Sequence, residues 1–476
     1  MSRLTIVGQH EKQTKGKPLS AKSFKGSAAV ITLGCAKNQV DSEVMQGVLA
    51  THGYRLVGDV ENADVAIVNT CGFLESSTKE SLDCILDVAE LKESGRLKRL
   101  IVSGCLVDRY RGDLQEELPE VDAFVSSHDL LRIEEAVRGA FVQTLEDAER
   151  PYFLYDESAP RVLSGSTLSA YVKISEGCDR PCSFCIIPKI RGAFRSRSIG
   201  SVCEEVRELG AVGVREVNLV GQDLTAFDDQ GRSKNALPML LEALNNDGAV
   251  DWIRLLYAYP LGISPELLNS IVDLPRICTY LDLPLQHVST EILRAMKRPM
   301  GKYATRELVE RIATLAPTIA LRTTFIVGFP GETEREIQEL ETFVAQGFFS
   351  SVGVFCYSPE PGTPAATLEG QIDPEVQNER RSRILRVQQE VVQHRMSRLI
   401  GSTLSVLVEG PSPESDLFLQ GRAEFQAPDV DGVVLINDLP SELTRDAAVG
   451  QIVNAEVSEI AGYDLVAGVA ECGACA

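Results

Sequence analysis

The chain has 476 residues, of which 44% are hydrophobic and 24% are charged, and it is too long for one ordinary hydrophobic core. No run of about 18 apolar residues occurs, so the sequence excludes a membrane-spanning helix of the usual length. The formal net charge of -21 makes the average surface repel phosphate backbones and attract basic partners.

The first 26 residues are polar and carry five lysines between Lys12 and Lys25. They lack the apolar stretch and the small-residue cleavage site of a secretory signal, so we interpret residues 1–26 as a flexible tail of a cytoplasmic protein. In that reducing compartment, the 12 cysteines are expected to serve metal ligation and ordinary packing rather than disulfides.

Residues 27–145 are predicted to form an α/β domain with an open parallel sheet, because short apolar runs alternate there with amphipathic stretches. Residues 146–166 have no clear periodic pattern and are interpreted as a linker. The predicted strands are Ala28–Leu33, Val65–Asn69, Leu100–Ser103 and Val121–Val125, and the predicted helices are Val40–His52, Ser76–Leu91 and Asp113–Leu118.

A second alternation over residues 167–401 contains six strand-helix units, which predicts an incomplete relative of the eight-unit TIM barrel, open on one side. Residues 402–469 alternate as strands between turns and predict a small antiparallel β-barrel of the OB sort. The tail 470–476 holds Cys472 and Cys475, to which we assign no function. The predicted barrel strands are Ala170–Ile174, Val214–Val220, Trp252–Tyr257, Tyr280–Leu283, Ala320–Val327 and Ser351–Tyr357.

Three cysteines lie close together directly after the first barrel strand, at Cys178, Cys182 and Cys185. A cubane cluster usually takes four thiolates, so a loop that offers three leaves one iron open to another ligand. A zinc site with a distant fourth ligand is an alternative, and unliganded thiols are another. The place of the loop at the mouth of a barrel strand argues against plain packing.

Three further cysteines, Cys35, Cys71 and Cys105, are widely separated, but each follows the end of a predicted parallel strand. The carboxyl ends of parallel strands lie on one edge of a sheet, so these thiols are expected to converge on a second cluster. The alternative is that they are buried apolar residues, as free cysteines commonly are.

Together these patterns resemble the methylthiotransferases of the radical S-adenosylmethionine superfamily, over about residues 27–469. The resemblance implies two 4Fe-4S clusters, S-adenosylmethionine as cofactor, and a final TRAM domain that grips the substrate. It also implies two S-adenosylmethionine-dependent steps: methyl transfer to sulfur, then radical insertion of the methylthio group into a carbon-hydrogen bond. The matching motifs are the run Leu33–Glu43, Asn69-Thr70-Cys71-Gly72-Phe73, Ser103-Gly104-Cys105-Leu106 and Cys178-x3-Cys182-x2-Cys185.

The same resemblance implies roles for residues near the top of the barrel. Arg322, in the fifth strand, and the run Arg191 to Arg197 could pair with a carboxylate or be surface charge, and Gln286 and His287 could position the substrate. The expected cofactor contacts are Phe184, Gly221, Gln222, Asp223, Arg322 and Gly328.

The chain resembles the RimO-type subclass in two motifs: Lys37-Asn38 with Val40-Asp41-Ser42-Glu43 after Cys35, and Arg191-Gly192 followed by Ser196-Arg197. That subclass modifies an aspartate of a basic small-subunit ribosomal protein, the one numbered twelve. From Gly401 to the end, 13 acidic residues face two arginines and no lysine, a net charge of -11. A domain that holds RNA needs the opposite sign, so direct RNA binding through it is not expected, whereas a basic protein is attracted. An acidic surface that merely aids solubility is the plainer interpretation.

Two other classes of function compete with this one. MiaB-type relatives modify an adenosine in transfer RNA, and an iron-sulfur protein that only stores or carries sulfur or electrons would bind clusters without cleaving S-adenosylmethionine. For the RimO-type interpretation, the expected partners are the ribosomal protein, within the small ribosomal subunit or free, an electron donor and a sulfur donor.

Overall fold

The computed structural model describes residues 4–6, 24–141, 154–234, 236–298 and 304–470. The tail lysines from Lys12 to Lys22 and the pair Cys472 and Cys475 lie outside these residues. Over the described ranges, no helix has both the length and the apolar character needed to cross a bilayer.

Strand β1 (Leu4–Ile6) lies in the predicted tail and pairs in parallel with Arg161–Leu163, which lies in the predicted linker. Both segments therefore contribute a strand that the sequence pattern did not reveal. A strand of three residues is too short to display a periodicity, so only its tertiary partner identifies it.

The N-terminal domain contains a five-stranded parallel sheet in the order β3-β2-β4-β5-β6, with helices on its faces. Its central strands are buried along almost their whole length because both faces are covered, and their middle residues are apolar. The strands are β2 (Ser27–Thr32), β3 (Arg55–Leu56), β4 (Val65–Thr70), β5 (Arg99–Gly104) and β6 (Ala123–Val125), and the helices are α1 (Ala36–Thr51), α2 (Glu75–Glu93), α3 (Cys105–Glu117) and α4 (Ile133–Val137).

Helix α3 begins eight residues before the start predicted at Asp113. Its first three residues, Cys105 to Val107, are all buried and apolar, so they show no amphipathic pattern. The consequence for the site is that Cys105 is the first residue of a helix rather than part of a loop.

The central domain is an incomplete barrel of six parallel strands in two hydrogen-bonded groups, β8-β11-β12 and β13-β14-β15, linked by a bridge between Ile253 and Ile277. This confirms the predicted fold. The six barrel strands are β8 (Ser169–Lys173), β11 (Glu216–Val220), β12 (Trp252–Leu255), β13 (Tyr280–Asp282), β14 (Ala320–Val327) and β15 (Phe349–Cys356). Three short strands lie outside the barrel: β7 (Arg161–Leu163), β9 (Ser175–Glu176) and β10 (Arg195–Ser196). The helices are α5 (Ile187–Arg191), α6 (Ile199–Ala211), α7 (Ala236–Asp247), α8 (Pro265–Asp273), α9 (Thr290–Ala295), α10 (Thr305–Leu315), α11 (Glu334–Ala345) and α12 (Pro374–Ser397).

The C-terminal domain is a closed five-stranded barrel in the order β16-β17-β18-β20-β19, which confirms the predicted small barrel. It is not wholly antiparallel as predicted, because β18 and β20 pair in parallel. One short helix, absent from the prediction, is capped by Thr444, whose side chain accepts a hydrogen bond from the Ala447 amide. The strands are β16 (Thr403–Pro411), β17 (Leu419–Ala423), β18 (Val434–Asp438), β19 (Ile452–Ala461) and β20 (Asp464–Val469), and the helix is α13 (Arg445–Ala448).

The three domains are joined by buried polar contacts. The N-terminal domain meets the open side of the incomplete barrel, where Asp41 of α1 pairs with Lys173 of β8 at 2.5 Å. The C-terminal barrel covers the beginnings of the central strands, where the Tyr280 hydroxyl donates to Asp431 at 2.8 Å. The interior of the incomplete barrel is therefore enclosed by all three domains.

Candidate active site

The three dispersed cysteines meet at the carboxyl edge of the N-terminal sheet. Cys35 caps α1, Cys71 follows β4 and Cys105 opens α3. A methyl group in place of the Gly34 hydrogen would lie 3.2 Å from the Cys71 Sγ, so the first two loops touch. Neighbouring parallel strands bring their ends together in this way, so the three cysteines lie at one edge of the sheet, and their binding of one cluster stays a prediction.

The pKa of the Cys105 thiol is raised to about 12, mainly by burial. Arg191 opposes this rise in the pKa, and the nearby Cys35 and Cys71 contribute to it. The mutual influence of the three thiols reflects how close they lie. Cys105 also stands at a helix N-terminus, where backbone N–H groups favour a thiolate. The set consists only of free thiols, which is the donor chemistry of an iron-sulfur cluster.

The central triplet lies in the loop between β9 and α5. The Cys178 amide donates to the Gly192 carbonyl at 3.1 Å, and the Ser183 amide to the Met296 carbonyl at 2.9 Å, so the loop is fixed at both ends. Arg298 Nη1 lies 3.7 Å from the Cys182 Sγ. Burial raises the pKa of Cys185 to about 12, and Cys182 and Cys178 contribute in the same direction.

The two sets fit clusters that each take three thiolates and leave one iron open. Over the described ranges, no three His, Cys, Asp or Glu side chains are close enough together to hold a single metal ion. This holds for both sets of cysteines as well, so it does not distinguish a cluster from the zinc site that the sequence left open.

The segment after β11 contacts the cluster loop and its surroundings. The Gly221 carbonyl accepts a hydrogen bond from Lys37 at 3.4 Å, and the side-chain Nε2 of Gln222 donates to Glu176 at 2.5 Å. Asp223 accepts from Arg180, between the first two cysteines of the loop, at 2.8 Å. Asp223 thus contacts the triplet loop itself, and Gly221 and Gln222 contact residues around it. Gln222 Oε1 is buried without a hydrogen-bond partner, whereas the other polar groups named have protein partners.

The other three residues predicted to contact the cofactor are placed differently from one another. Phe184 and Arg322 line a large cavity, and Arg322 pairs with Asp282 at 2.8 Å. Gly328 is absent from the cavity wall, because its amide donates to Glu332 and its carbonyl accepts from Gln377 in a turn against α12.

This cavity has a volume of about 1570 Å³ and lies in the interior of the incomplete barrel. All three domains contribute to its wall. The N-terminal domain contributes Cys35 and Phe73, and the central domain contributes Tyr257, Gln286 and Arg322. The C-terminal domain contributes Glu409, Asp429 and Asp431.

Gln286 and His287 were expected to face the substrate together, but only Gln286 lines the cavity. His287 is fully buried behind it, with Nε2 3.3 Å from Glu332 and Nδ1 accepting from the Ser289 amide. The expectation for His287 is wrong because Gln286 has a φ of 74°, which turns the chain so that the next side chain points away.

A buried ring of charges that the sequence did not predict contacts Cys105 through Arg191 and includes Glu176, two residues before Cys178. Lys173 and Arg191 each contact Asp41 and Glu176, and the side chains of all four are at most 4% exposed. The arginine run was expected to pair with carboxylates or to be surface charge, and for Arg191 and Arg197 the first interpretation is confirmed. The spacing of Lys173 and Glu176, three residues apart, was the only local signal for the ring.

Three family models match successive parts of the chain: an uncharacterized protein family, UPF0004, over residues 27–126, the radical SAM superfamily over 172–344 and the TRAM domain over 400–469. Among solved structures, a radical S-adenosylmethionine methyltransferase, TsrM, from Kitasatospora setae, with cobalamin and a 4Fe-4S cluster bound, matches with a TM-score of 0.50. It is 15% identical and 77% of each chain is covered, so it supports the fold alone.

Curated relatives extend the match to nearly the whole chain. A protein of Pelobacter propionicus named ribosomal protein uS12 methylthiotransferase RimO is 44% identical, with 94% of this chain and 98% of the relative covered. A protein of Anaeromyxobacter sp. (strain K) with the same name is 46% identical, with 91% of each covered.

The fold, the triplet loop and these matches define a radical S-adenosylmethionine methylthiotransferase, a class that uses S-adenosylmethionine and iron-sulfur clusters. The motifs around the two sets of cysteines resembled this class in the sequence. More narrowly, the chain belongs to the RimO family of methylthiotransferases.

Proposed function

We propose that this protein adds a methylthio group to an aspartate side chain of ribosomal protein uS12, in two S-adenosylmethionine-dependent steps. The observation that carries the proposal is that one cavity has Cys35 and Phe184, a residue from each cysteine motif, in its wall, in a chain 44% identical to a relative named for this activity. The cytoplasm, where ribosomes are made, is the expected location.

We assign one 4Fe-4S cluster, the radical cluster, to Cys178, Cys182 and Cys185. The second, the auxiliary cluster, is assigned to Cys35, Cys71 and Cys105. When bound, the clusters and S-adenosylmethionine supply the electron, the methyl group and the radical, and an external electron donor and sulfur donor complete the reaction. The protein's own task is to orient the reactants and to exclude water.

Arg322 is the residue best suited to hold a carboxylate in the cavity. Its Nη1 pairs with Asp282, while its Nε is buried without a hydrogen-bond partner, so one edge of the guanidinium is not fully used. A carboxylate of the cofactor or of the substrate aspartate would satisfy that edge. Gln286, whose Oε1 also lacks a partner, lies on the same wall and could accept a backbone N–H of the substrate.

The charge of the TRAM domain favours a basic protein over RNA as the substrate. Of its two arginines, Arg422 is buried against Glu216 and Glu409, so it adds no cation to the surface. Arg445 is the remaining cation of the domain. RNA binding depends on neutralising phosphates, for which this surface is poorly suited. A transfer RNA adenosine, the MiaB-type substrate, is the alternative.

The test is mass spectrometry after anaerobic reconstitution with S-adenosylmethionine and a reductant, with uS12 and transfer RNA offered separately. We expect a methylthio mass gain on an aspartate of uS12 that is lost in Cys178→Ala and in Cys71→Ala. A methylthio mass gain on the transfer RNA would support the same chemistry but overturn uS12 as the substrate. Cluster binding without cleavage of S-adenosylmethionine would favour the storage or carrier class instead.

A further inference from the structure

Arg191 connects the loop of the radical cluster to a ligand of the auxiliary cluster. It ends α5, six residues after Cys185, and its guanidinium crosses the domain interface to Cys105 at the start of α3. Its Nε and Nη2 lie 3.2 and 3.1 Å from the Cys105 Sγ, so two N–H groups point at one sulfur. Only 3% of the side chain is exposed.

The remaining donors of Arg191 fix the orientation of the guanidinium. Nη1 donates to Asp41 at 2.8 Å and Nη2 to Asn38 at 2.6 Å, and both partners belong to α1 of the N-terminal domain. Asp41 is held in turn by Lys173. A planar guanidinium with partners on several sides cannot rotate away from the sulfur without breaking buried hydrogen bonds.

Hydrogen bonds to the ligating sulfurs and the local charge set the reduction potential of an iron-sulfur cluster. Reduction adds negative charge, so N–H groups and a fixed positive charge beside a thiolate stabilise the reduced form more than the oxidised form. The charges of Lys173, Arg191, Asp41 and Glu176 cancel, which leaves the two N–H···S contacts as the specific feature at Cys105.

We propose that Arg191 is a positioning residue that orients Cys105 and raises the reduction potential of the auxiliary cluster. The inference rests on the assignment of that cluster to Cys35, Cys71 and Cys105. In this proposal, helix α5, which follows the loop of the radical cluster, is also part of the environment of the auxiliary cluster. The two centres are thereby held in one fixed relation across the domain interface.

The test uses the full chain with Cys178, Cys182 and Cys185 all changed to Ala, so that only the auxiliary cluster is reconstituted. Its midpoint potential and the EPR line shape of its reduced form are then measured with and without a change at Arg191. Two variants are used. Arg191→Lys keeps the charge but loses the paired N–H geometry, and Arg191→Met with Asp41→Asn removes the guanidinium while leaving the net charge of the ring unchanged.

We expect both variants to shift the potential to more negative values and to alter the EPR line shape, with the larger shift in the double variant. Arg197→Lys is the matched control, because Arg197 is equally buried and pairs with Glu205, but none of its hydrogen bonds reaches a cysteine. The midpoint potential of the Arg197→Lys variant should equal that of the parent chain.

An unchanged potential and line shape in both Arg191 variants, with iron retained, would overturn the role of Arg191 and leave the cluster assignment intact. A shift of the same size in Arg197→Lys would overturn it too, because the effect would then not depend on the Cys105 contact. A parent chain that holds no iron after reconstitution would overturn the assignment itself, and this inference with it.

Discussion

Glu216 carries a fully buried charge between the central and C-terminal domains. Its side chain is 0% exposed, contacts Arg254 at 2.9 Å and also pairs with Arg422. Burial by itself would raise the pKa of Glu216, but the two arginines outweigh burial and lower the pKa to about 2. One carboxylate therefore holds two buried guanidinium groups at the domain interface.

Replacing Glu216 by Gln is expected to lower the free energy of unfolding by about 3–5 kcal/mol, because a buried charge is left uncompensated. Urea unfolding followed by the fluorescence of the single tryptophan, Trp252, in the strand next to β11, measures this loss. Glu204→Gln, which breaks an exposed pair with Arg207, is the control and should cost less than about 1 kcal/mol. Equal losses in the two variants would contradict this account.

The contribution of Glu216 to stability should depend on pH in one direction. Its folded pKa of about 2 lies below its ordinary value of 4.5, so the contribution is fully present above about pH 4.5 and is lost as the pH falls toward 2. The stability difference between the wild type and Glu216→Gln should therefore narrow in acid. A difference that stays constant between about pH 6 and pH 3 would be inconsistent with this.

Cys71→Ala removes one of the three thiolates proposed for the auxiliary cluster. We expect the iron content after reconstitution to fall to roughly half, since one of two clusters loses a ligand, while cleavage of S-adenosylmethionine continues at the other. Iron analysis and quantification of deoxyadenosine measure the two effects. Cys84→Ala, on the outer helix α2, should change neither, and full iron content in Cys71→Ala would contradict the assignment.

At the scale of elements, helix α3 is positioned by Gly104. Its φ of 96° with a ψ of -160° is a backbone conformation that favours glycine, and a Cβ there would lie 2.4 Å from Asn69 Oδ1. Strand β5 can thus turn directly into the helix that begins with Cys105. The placement of that thiol therefore depends on the turn before it.

Gly104→Ala is expected to cost about 1–3 kcal/mol from backbone strain alone, with the clash in addition, and to reduce iron at the auxiliary site. Gly112→Ala, in the same helix with nothing near its Cβ position, should instead stabilise by about 0.5–1 kcal/mol. Thermal unfolding and iron analysis of the two variants provide the comparison. A change in stability of the same sign in both variants would show that the turn does not require glycine at position 104.

At the scale of the whole molecule, the acidic TRAM surface is expected to attract the basic substrate. Neutralising the exposed residues Glu442, Asp446, Glu456 and Glu459 should raise KM for uS12 by on the order of tenfold at low salt, with kcat little changed. The effect should shrink as salt is added.

The matched control neutralises four exposed acids of helix α2, Glu80, Asp87, Glu90 and Glu93, and changes the net charge by the same amount. Steady-state kinetics of both variants at two salt concentrations distinguish local from overall charge. An equal rise in KM for both would show that only the total charge of the chain matters.

Local sequence patterns did not reveal how turns and distant partners place individual residues. His287 follows a strand as predicted, but the positive φ of Gln286 directs it away from the cavity. Gly328 stands at a strand end, yet its backbone groups are used within its own turn. The pairing of Arg191 with Cys105 joins residues 86 positions apart, and no local pattern could indicate it.

The sequence by itself determined the order of the three folds and the two sets of cysteines. Strand alternation reflects which faces are buried, and parallel strands always present their carboxyl ends at one edge. Only the tertiary structure decided what surrounds those thiols: the enclosed cavity, the ring of Asp41, Lys173, Glu176 and Arg191, and the two N–H contacts to Cys105. Buried charges need partners, and a partner from another domain is chosen by packing, which leaves no periodic trace along the chain.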